Sequence, residues 1–408
     1  MLDKKVKKIL IFSLAYYPKF VGGAEVAIKE ITDRISSKEL EFHMVTLQFD
    51  SNLPKTEKIG NVIVHRIGFS KPSPTISDLK KFPLFLNKYW FQFMTAFVAS
   101  RLHRMYHFDG TWAMMAHSCG IPAGIFKTLH PEVKYLLTLQ EGDPPEYIER
   151  LARPVWSLFK RGFTKADALQ CISSFLLVWG KRMGFKGEGI VIPNGVDTKH
   201  FSQTLPKNEL EGLKQKLGKK EGDVFLVTTS RLVKKNAVDD IIKALIHLPE
   251  NYKLLILGIG PDEKMLKDLT EKFGVVKRVN FLDEIPNGDV PKYLQVSDVF
   301  IRPSLSEGMG NVFIEAMATG VPVIATQKGG IADFLFDPEL NKDKEPTGRA
   351  VKPRDPEGIA RQVMSYMNDK GMTKSIVTNA KKMVFDRYDW NLIAKNMKER
   401  VFDGVLGS

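Results

Sequence analysis

Short apolar runs alternate with longer stretches of helical periodicity along most of this chain. The runs at 8–14, 43–47 and 135–139 have strand length, and 24–35 repeats its apolar positions at the helical period. Alternation of this kind predicts parallel α/β sheets. A second series of apolar runs occupies 224–228, 252–257, 279–282, 298–301 and 321–325, which predicts a second Rossmann-like unit. Between the two series lies a polar, Lys-rich stretch, 198–223, headed by Pro193, Asn194 and Gly195, and a domain boundary is expected there. In the closing segment, 388–402, Trp390, Ile393, Met397 and Val401 are spaced for one apolar face of a helix. The chain carries no evident internal repeat.

A length of 408 residues exceeds what one core normally holds, so two domains of roughly 200 residues each are expected. The pattern sets them at 1–197 and 198–387, with 388–408 as a terminal helix. The formal net charge of +13 points to an anionic partner, whether nucleic acid, acidic lipid or phosphorylated substrate. Charge alone does not choose among them. Cys119 and Cys171 are the only cysteines, which argues against a disulfide scaffold and is compatible with a reducing cytosol. The basic start of the chain, 1–8, precedes an apolar run shorter than a signal sequence requires. No stretch reaches the ~18 apolar residues of a membrane span, so a cytoplasmic protein, soluble or peripheral on a membrane face, is expected.

The most informative chemistry lies at Glu307 and Glu315, where a strand at 299–303 hands over to a helix at 311–318 that Gly320 and Pro322 end. Gly308, Met309 and Gly310 form a turn between them. With glycines there, side chains do not block the free N–H groups of Asn311 and Val312, and a phosphate can approach the positive end of that helix. Glu307 is expected on the loop beside a sugar. Glu315 is expected inside the helix, aimed at ribose hydroxyls, because carboxylates accept well from vicinal diols. The apolar neighbours Val312, Phe313, Ile314 and Met317 imply a largely buried helix, in which an unpaired Glu315 is costly.

Four further turns sit at the carboxyl ends of predicted strands, the edge where open α/β sheets bind ligands. Gly22 and Gly23, followed by Ala24 and Glu25, supply flexible backbone after the first strand. Arg231 and Lys235 follow the strand at 224–228 and can clamp a diphosphate, one as a planar fork and the other as a point charge. Gly258 and Gly260 follow the next strand, but Glu263 stands where a dinucleotide fingerprint has its third glycine, which argues against NAD. Gly329 and Gly330 complete the set. His117 ends an apolar strand within reach of a sugar hydroxyl, and the polar run 140–143 ends another near an acceptor. The segment 80–104 mixes Trp90 and other aromatics with Lys and Arg, which suits an anionic bilayer surface as well as packing inside the first domain. No recognisable nucleic-acid module accompanies it.

Taken together, Gly22 to Glu25, Pro193 to Asp197, Ser230 to Lys235 and Glu307 to Gly320 resemble the retaining glycosyltransferases of family 4, in order and spacing over nearly the whole chain. The resemblance implies an α/β protein of the GT-B fold, in which two Rossmann-like domains face a central cleft and the last helix crosses back to the first domain. It implies a hexose moved from a UDP- or GDP-linked donor to a glycan or lipid-linked acceptor, with no cofactor, no metal and no nucleic-acid partner. It further implies that Glu307 contacts the donor sugar, Glu315 the ribose, and Arg231 and Lys235 the diphosphate. Asn236 and Ala237 depart from the family, which often carries Lys-Gly at these positions. Two other readings remain: a nucleotide-sugar epimerase or sugar phosphorylase of the same fold, and a non-catalytic protein that binds anionic surfaces.

Overall fold

The computed structural model describes residues 6–19, 21–75 and 77–407, so most of the basic start of the chain lies outside the described residues. The chain forms two compact units, Met1–Asn194 with Trp390–Ser408, and Gly195–Asp389. The sequence pattern had set these divisions at 197/198 and 387/388.

In the first unit the strands are β1 (Lys7–Phe12), β2 (Leu40–Leu47), β3 (Thr56–Ile59), β4 (Val62–Ile67), β5 (Gly110–Met114), β6 (Lys134–Leu139), β7 (Ala168–Cys171) and β8 (Ile190–Val191). They lie in the order β3-β4-β2-β1-β5-β6-β7-β8. Every pairing is parallel except the antiparallel hairpin of β3 with β4. The inner strands are apolar on both faces because helices cover both sides of the sheet, and this is why they read as continuous apolar runs. Helix α1 (Gly23–Thr32) follows β1, helix α2 (Asn87–Tyr106) precedes β5, and helix α3 (Ile121–Leu129) follows β5.

The end of the chain completes this unit. Trp390, Ile393, Met397, Val401 and Phe402 belong to the same buried cluster as Ile9, Ile11, Phe42 and Trp112. The Phe402 ring stands edge-on to Trp112 at 5.2 Å and to Phe42 at 5.8 Å. The terminal helix begins as Trp390–Asn396 and widens into a π-turn at Met397–Phe402, which keeps the apolar face against the sheet. Burying a Phe of this kind contributes about 2 kcal/mol.

The second unit contains β9 (Val224–Thr229), β10 (Tyr252–Leu257), β11 (Val279–Phe281), β12 (Val299–Arg302), β13 (Val323–Ala325) and β14 (Arg349–Ala350). All pairings are parallel, in the order β11-β10-β9-β12-β13-β14. Its core gathers Leu226, Ile241, Leu254, Ile256, Ile301 and Ile324 under the flanking helices. The polar stretch at 198–223 is no linker. It folds as the helices Thr198–Ser202 and Lys207–Lys216 within this unit; Lys199, Lys207 and Lys216 are exposed, while Lys219 is bonded to the Val296 carbonyl and to Asp298. The chain enters and leaves the unit side by side: the Val196 N–H donates to the Tyr388 carbonyl at 2.7 Å, and Val196 pairs with Asp389.

Both sheets reverse direction at one place. In the first, the chain moves outward from β1 through β2 and then returns to the other side of β1 with β5. In the second it moves outward from β9 through β10 and β11 and returns beside β9 with β12. Loops after the two central strands diverge at such a switch point and leave an opening at the carboxyl edge of the sheet.

Candidate functional site

The residues singled out in the second unit flank its switch point. Arg231 and Lys235 follow β9; Glu307 follows β12. The loops that carry them are tied together by main-chain and buried side-chain bonds. The Leu305 N–H donates to the Lys235 carbonyl at 2.7 Å. Asn236, buried in the post-β9 turn, donates through Nδ2 to the Arg231 carbonyl at 2.7 Å. Its Oδ1 accepts from Arg302 Nη2 at 3.0 Å, and the same nitrogen lies 3.3 Å from Glu307 Oε2. Arg302 thus links the two loops. The sequence reading took it as one more residue of an apolar strand, and a lone Arg among apolar residues was the signal it passed over.

Arg231 is exposed, whereas Lys235 is half-buried. Ala237 occupies the left-handed region at φ 51°, the conformation for which glycine is favoured. The family's usual glycine at this place therefore has a backbone reason, and here alanine holds the same turn while Asn236 anchors it.

Glu307 is almost fully buried on the loop, as expected, and Glu315 is inside the helix Asn311–Thr319. The helix begins at Gly310, at φ 87°, and no side chain caps it. The first N–H groups, those of Asn311 and Val312, thus lack the usual side-chain partner. Gly308 and Met309 are buried in the turn leading there. The loop after β13 is pressed against Glu307. The Gly330 N–H donates to the Glu307 carbonyl at 3.0 Å, and a Cβ on Gly329, at φ 64°, would stand 2.0 Å from that oxygen. Gly258 is equally constrained, since a Cβ there would meet the Ser230 carbonyl at 2.0 Å. These glycines are required by close backbone approach.

Electrostatics separate the two glutamates. Part of the Glu315 side chain still reaches the surface, yet the protein crowded around it pushes its carboxyl up to about 7, opposed only by the field of Arg302. Glu307 has the guanidinium itself beside it.

In the first unit, Gly22, Gly23 and His117 flank the β1/β5 switch point. Neither glycine uses the freedom expected of it: Gly22 is extended, at φ −124°, and Gly23 is the first residue of α1. A Cβ on Gly23 would meet nothing within 4 Å, whereas one on Gly22 would stand 3.1 Å from Glu25 Oε2. The Gly22 N–H is held by Glu25 Oε2 at 2.7 Å, and burial raises the Glu25 carboxyl above its usual range. His117 lies beyond the end of β5, in a π-turn over Ala116–Gly120 that runs into α3. Its side chain is part-exposed. Glu141, fully buried after β6, receives the His117 backbone N–H at 3.3 Å and lies 3.6 Å from His117 Nδ1. Glu141 fell within the polar run 140–143 without being singled out.

Among the described residues, His103, His130 and Glu132 have the spacing to hold a metal ion. His103 Nδ1, however, accepts the Phe108 N–H at 3.1 Å, which leaves the proton of a neutral ring on Nε2, the atom facing Glu132. His130 Nε2 lies 2.8 Å from Ser100 Oγ, so each histidine already has one ring nitrogen engaged within the protein.

Comparison with known proteins bears on these features. A model described as Glycosyltransferase Family 4 matches residues 21–200, and one described as Glycosyl transferases group 1 matches residues 211–383. An uncharacterized glycosyltransferase of Methanocaldococcus jannaschii is 28% identical over 408 residues, 95% of this chain and 96% of that protein. The alpha-monoglucosyldiacylglycerol synthase of Acholeplasma laidlawii is 28% identical over 172 residues, 40% of this chain and 43% of its own. Among solved structures, Anabaena HepE in complex with UDP-glucose is similar with a TM-score of 0.74 at 19% identity, over 97% of this chain and 99% of that one.

Proposed function

Because the chain belongs to the family 4 glycosyltransferases of the GT-B fold, we propose that it moves a hexose from a UDP- or GDP-sugar to a glycan or lipid-linked acceptor, with retention at the anomeric carbon. One observation carries this reading. At the switch point of the second unit, two cations, a buried carboxylate and an uncapped helix N-terminus occupy adjoining loops tied to one another.

In this reading Arg231 and Lys235 hold the diphosphate, and the N–H groups of Asn311 and Val312 receive a phosphate oxygen. Gly308, Met309 and Gly310 let the donor approach the backbone closely. Glu307 accepts from hydroxyls of the donor sugar and Glu315 from the ribose. His117, with Glu141 behind it, offers a hydrogen bond to a sugar hydroxyl, and Gly22 and Gly23 leave room for the donor at their own sheet edge. As the bond between the anomeric carbon and the diphosphate oxygen breaks, negative charge grows on the leaving group. Fixed cations stabilise that state more than the ground state. The acceptor oxygen attacks from the face the diphosphate leaves, its proton passes to the departing phosphate oxygen, and a glycoside and a nucleoside diphosphate result. Arg231 and Lys235 supply the neutralisation, so the scheme assigns no step to a metal. The A. laidlawii relative, named for a glycolipid product, supports a lipid acceptor, and the UDP-glucose complex of HepE supports a nucleotide-linked donor.

The test combines purified protein, UDP-glucose or GDP-mannose, and diacylglycerol or oligosaccharide acceptors. Product anomers are read by NMR. Retention is expected, and Arg231→Ala or Lys235→Ala lowers turnover about a hundredfold. An inverted product, or full turnover in both variants, overturns the assignment.

A further inference from the structure

Helix α2 carries its apolar side chains on both sides. Phe91, Thr95, Ala96 and Ala99 are buried against the first unit. On the opposite side Tyr89, Phe93 and Phe97, at steps of four residues, are 60%, 44% and 58% exposed, and Phe82 just before the helix is 78% exposed. A helix that needed only to close the core would turn polar residues outward. Large exposed apolar patches on soluble proteins mark contact surfaces.

The charges around this patch have one sign. From Lys80 to Phe108 the chain contains no Asp or Glu. Lys80, Lys81 and Lys88 lie at the near end of α2 and Arg101 and Arg104 at the far end, all exposed, while 89–97 carries no charge. The bias extends to the whole unit. The first unit has 30 Lys and Arg against 19 Asp and Glu, whereas the second has 30 against 28, so the basic excess of the protein resides almost entirely in the unit that carries α2.

We infer that the exposed face of α2 docks on an anionic lipid bilayer. An apolar centre with basic side chains at both ends suits a helix lying in the plane of a membrane interface, aromatics dipped among acyl chains and ammonium or guanidinium groups at the level of the headgroups. A second copy of the chain would bring like charges together. A nucleic-acid backbone presents phosphates at every step, and the uncharged centre of the face would leave them unmatched. No described helix is long and apolar enough to cross a membrane, so the contact is one of surface and not of span.

Flotation of the full chain with phosphatidylcholine vesicles, with and without phosphatidylglycerol, tests the inference. The protein is expected to float with the anionic vesicles only, and less so at high salt. Arg101→Glu with Arg104→Glu is expected to weaken partitioning by about tenfold or more. Phe93→Ser with Phe97→Ser is expected to abolish it at unchanged charge, and both double variants should melt as the parent does because the altered side chains are exposed. Equal binding by parent and variants, no preference for phosphatidylglycerol, or displacement from vesicles by single-stranded RNA would overturn it.

Discussion

Arg302 Nη2 donates to Asn236 Oδ1 across 3.0 Å and lies 3.3 Å from Glu307 Oε2, so one buried guanidinium joins the turn bearing Arg231 and Lys235 to the loop bearing Glu307. Removing one partner of a buried pair leaves a bare charge, which destabilises by about 3 kcal/mol. Arg302→Met should therefore lower the melting temperature and the turnover together. Adding Glu307→Gln should restore much of the stability but not the turnover, since Glu307 is assigned to the donor sugar. Recovery of both by the double variant, measured by thermal melts and steady-state kinetics, would remove Glu307 from that role.

The raised carboxyl of Glu315 predicts a trade between stability and binding. Its folded value is about 7 against an ordinary 4.5. Between those values the unfolded chain gives up the proton while the folded one keeps it, so this group's contribution falls as pH rises through the window and stays low above it. Glu315→Gln removes the dependence and should melt higher than the parent at pH 7, by an amount of order 1–3 kcal/mol. The same variant should bind UDP or GDP about tenfold more weakly if the carboxylate holds the ribose, a difference of about 1.4 kcal/mol. Melting curves across pH and calorimetric titration with each nucleotide read the two effects separately.

Gly329→Ala introduces a methyl group 2.0 Å from the Glu307 carbonyl at a positive φ. The loop must shift, and Glu307 with it. Turnover is expected to fall at least about tenfold, because small displacements of positioned groups weaken catalysis strongly. The check is a kinetic comparison with Gly274→Ala, another positive-φ glycine whose added Cβ meets nothing within 4 Å. Similar turnover in the two variants would separate the Gly329 contact from function.

Acid sensitivity should come from a buried histidine pair in the first unit. His43 and His65 stack at 5.4 Å, with Nδ1 of the first 3.1 Å from Nε2 of the second, Glu41 on the far side of His43 and Tyr106 packed over both. Burial, and then the neighbouring His43, lower His65 from 6.5 to about 4. Stability from this group is complete above pH 6.5 and is lost as pH falls toward 4, because only the unfolded chain takes up the proton in that window. The loss amounts to about 3 kcal/mol at most. His65→Gln should flatten that part of the pH profile in thermal melts, and an unchanged profile would exclude the pair as its source.

The architecture was legible in the sequence because strands covered on both faces must be apolar throughout. The runs at 252–257 and 299–302 needed no further information. The Glu307 to Gly320 turn was legible for another reason: few sequences besides an open helix N-terminus require glycines, a carboxylate and an apolar helix in that order. Contacts made by folding were hidden. A lone Arg in an apolar strand is a local signal at 302 but does not name the two loops it links, and nothing local marks Glu141 as the group behind His117. The pair Gly22 and Gly23 suggested backbone freedom, but Gly22 is extended and Gly23 helical, conformations open to other residues. The Lys-rich stretch 198–223 showed only as a polar break between the two series because the helix Lys207–Lys216 buries no residue, and a helix of mostly solvated residues carries no strong apolar period.

The adjoining passage of Val196 and Tyr388 makes the second unit a cassette. Residues 195–389 could be lifted out as one continuous piece with its ends already hydrogen-bonded, and a foreign domain with neighbouring termini could take its place. The first unit has no such independence. During synthesis its sheet precedes the second unit, but the side chains from Trp390 to Phe402 that fill the core follow it, so the first unit waits unfinished until the whole intervening domain has been made. A cut after Asp389 would therefore injure the unit made before the one it follows.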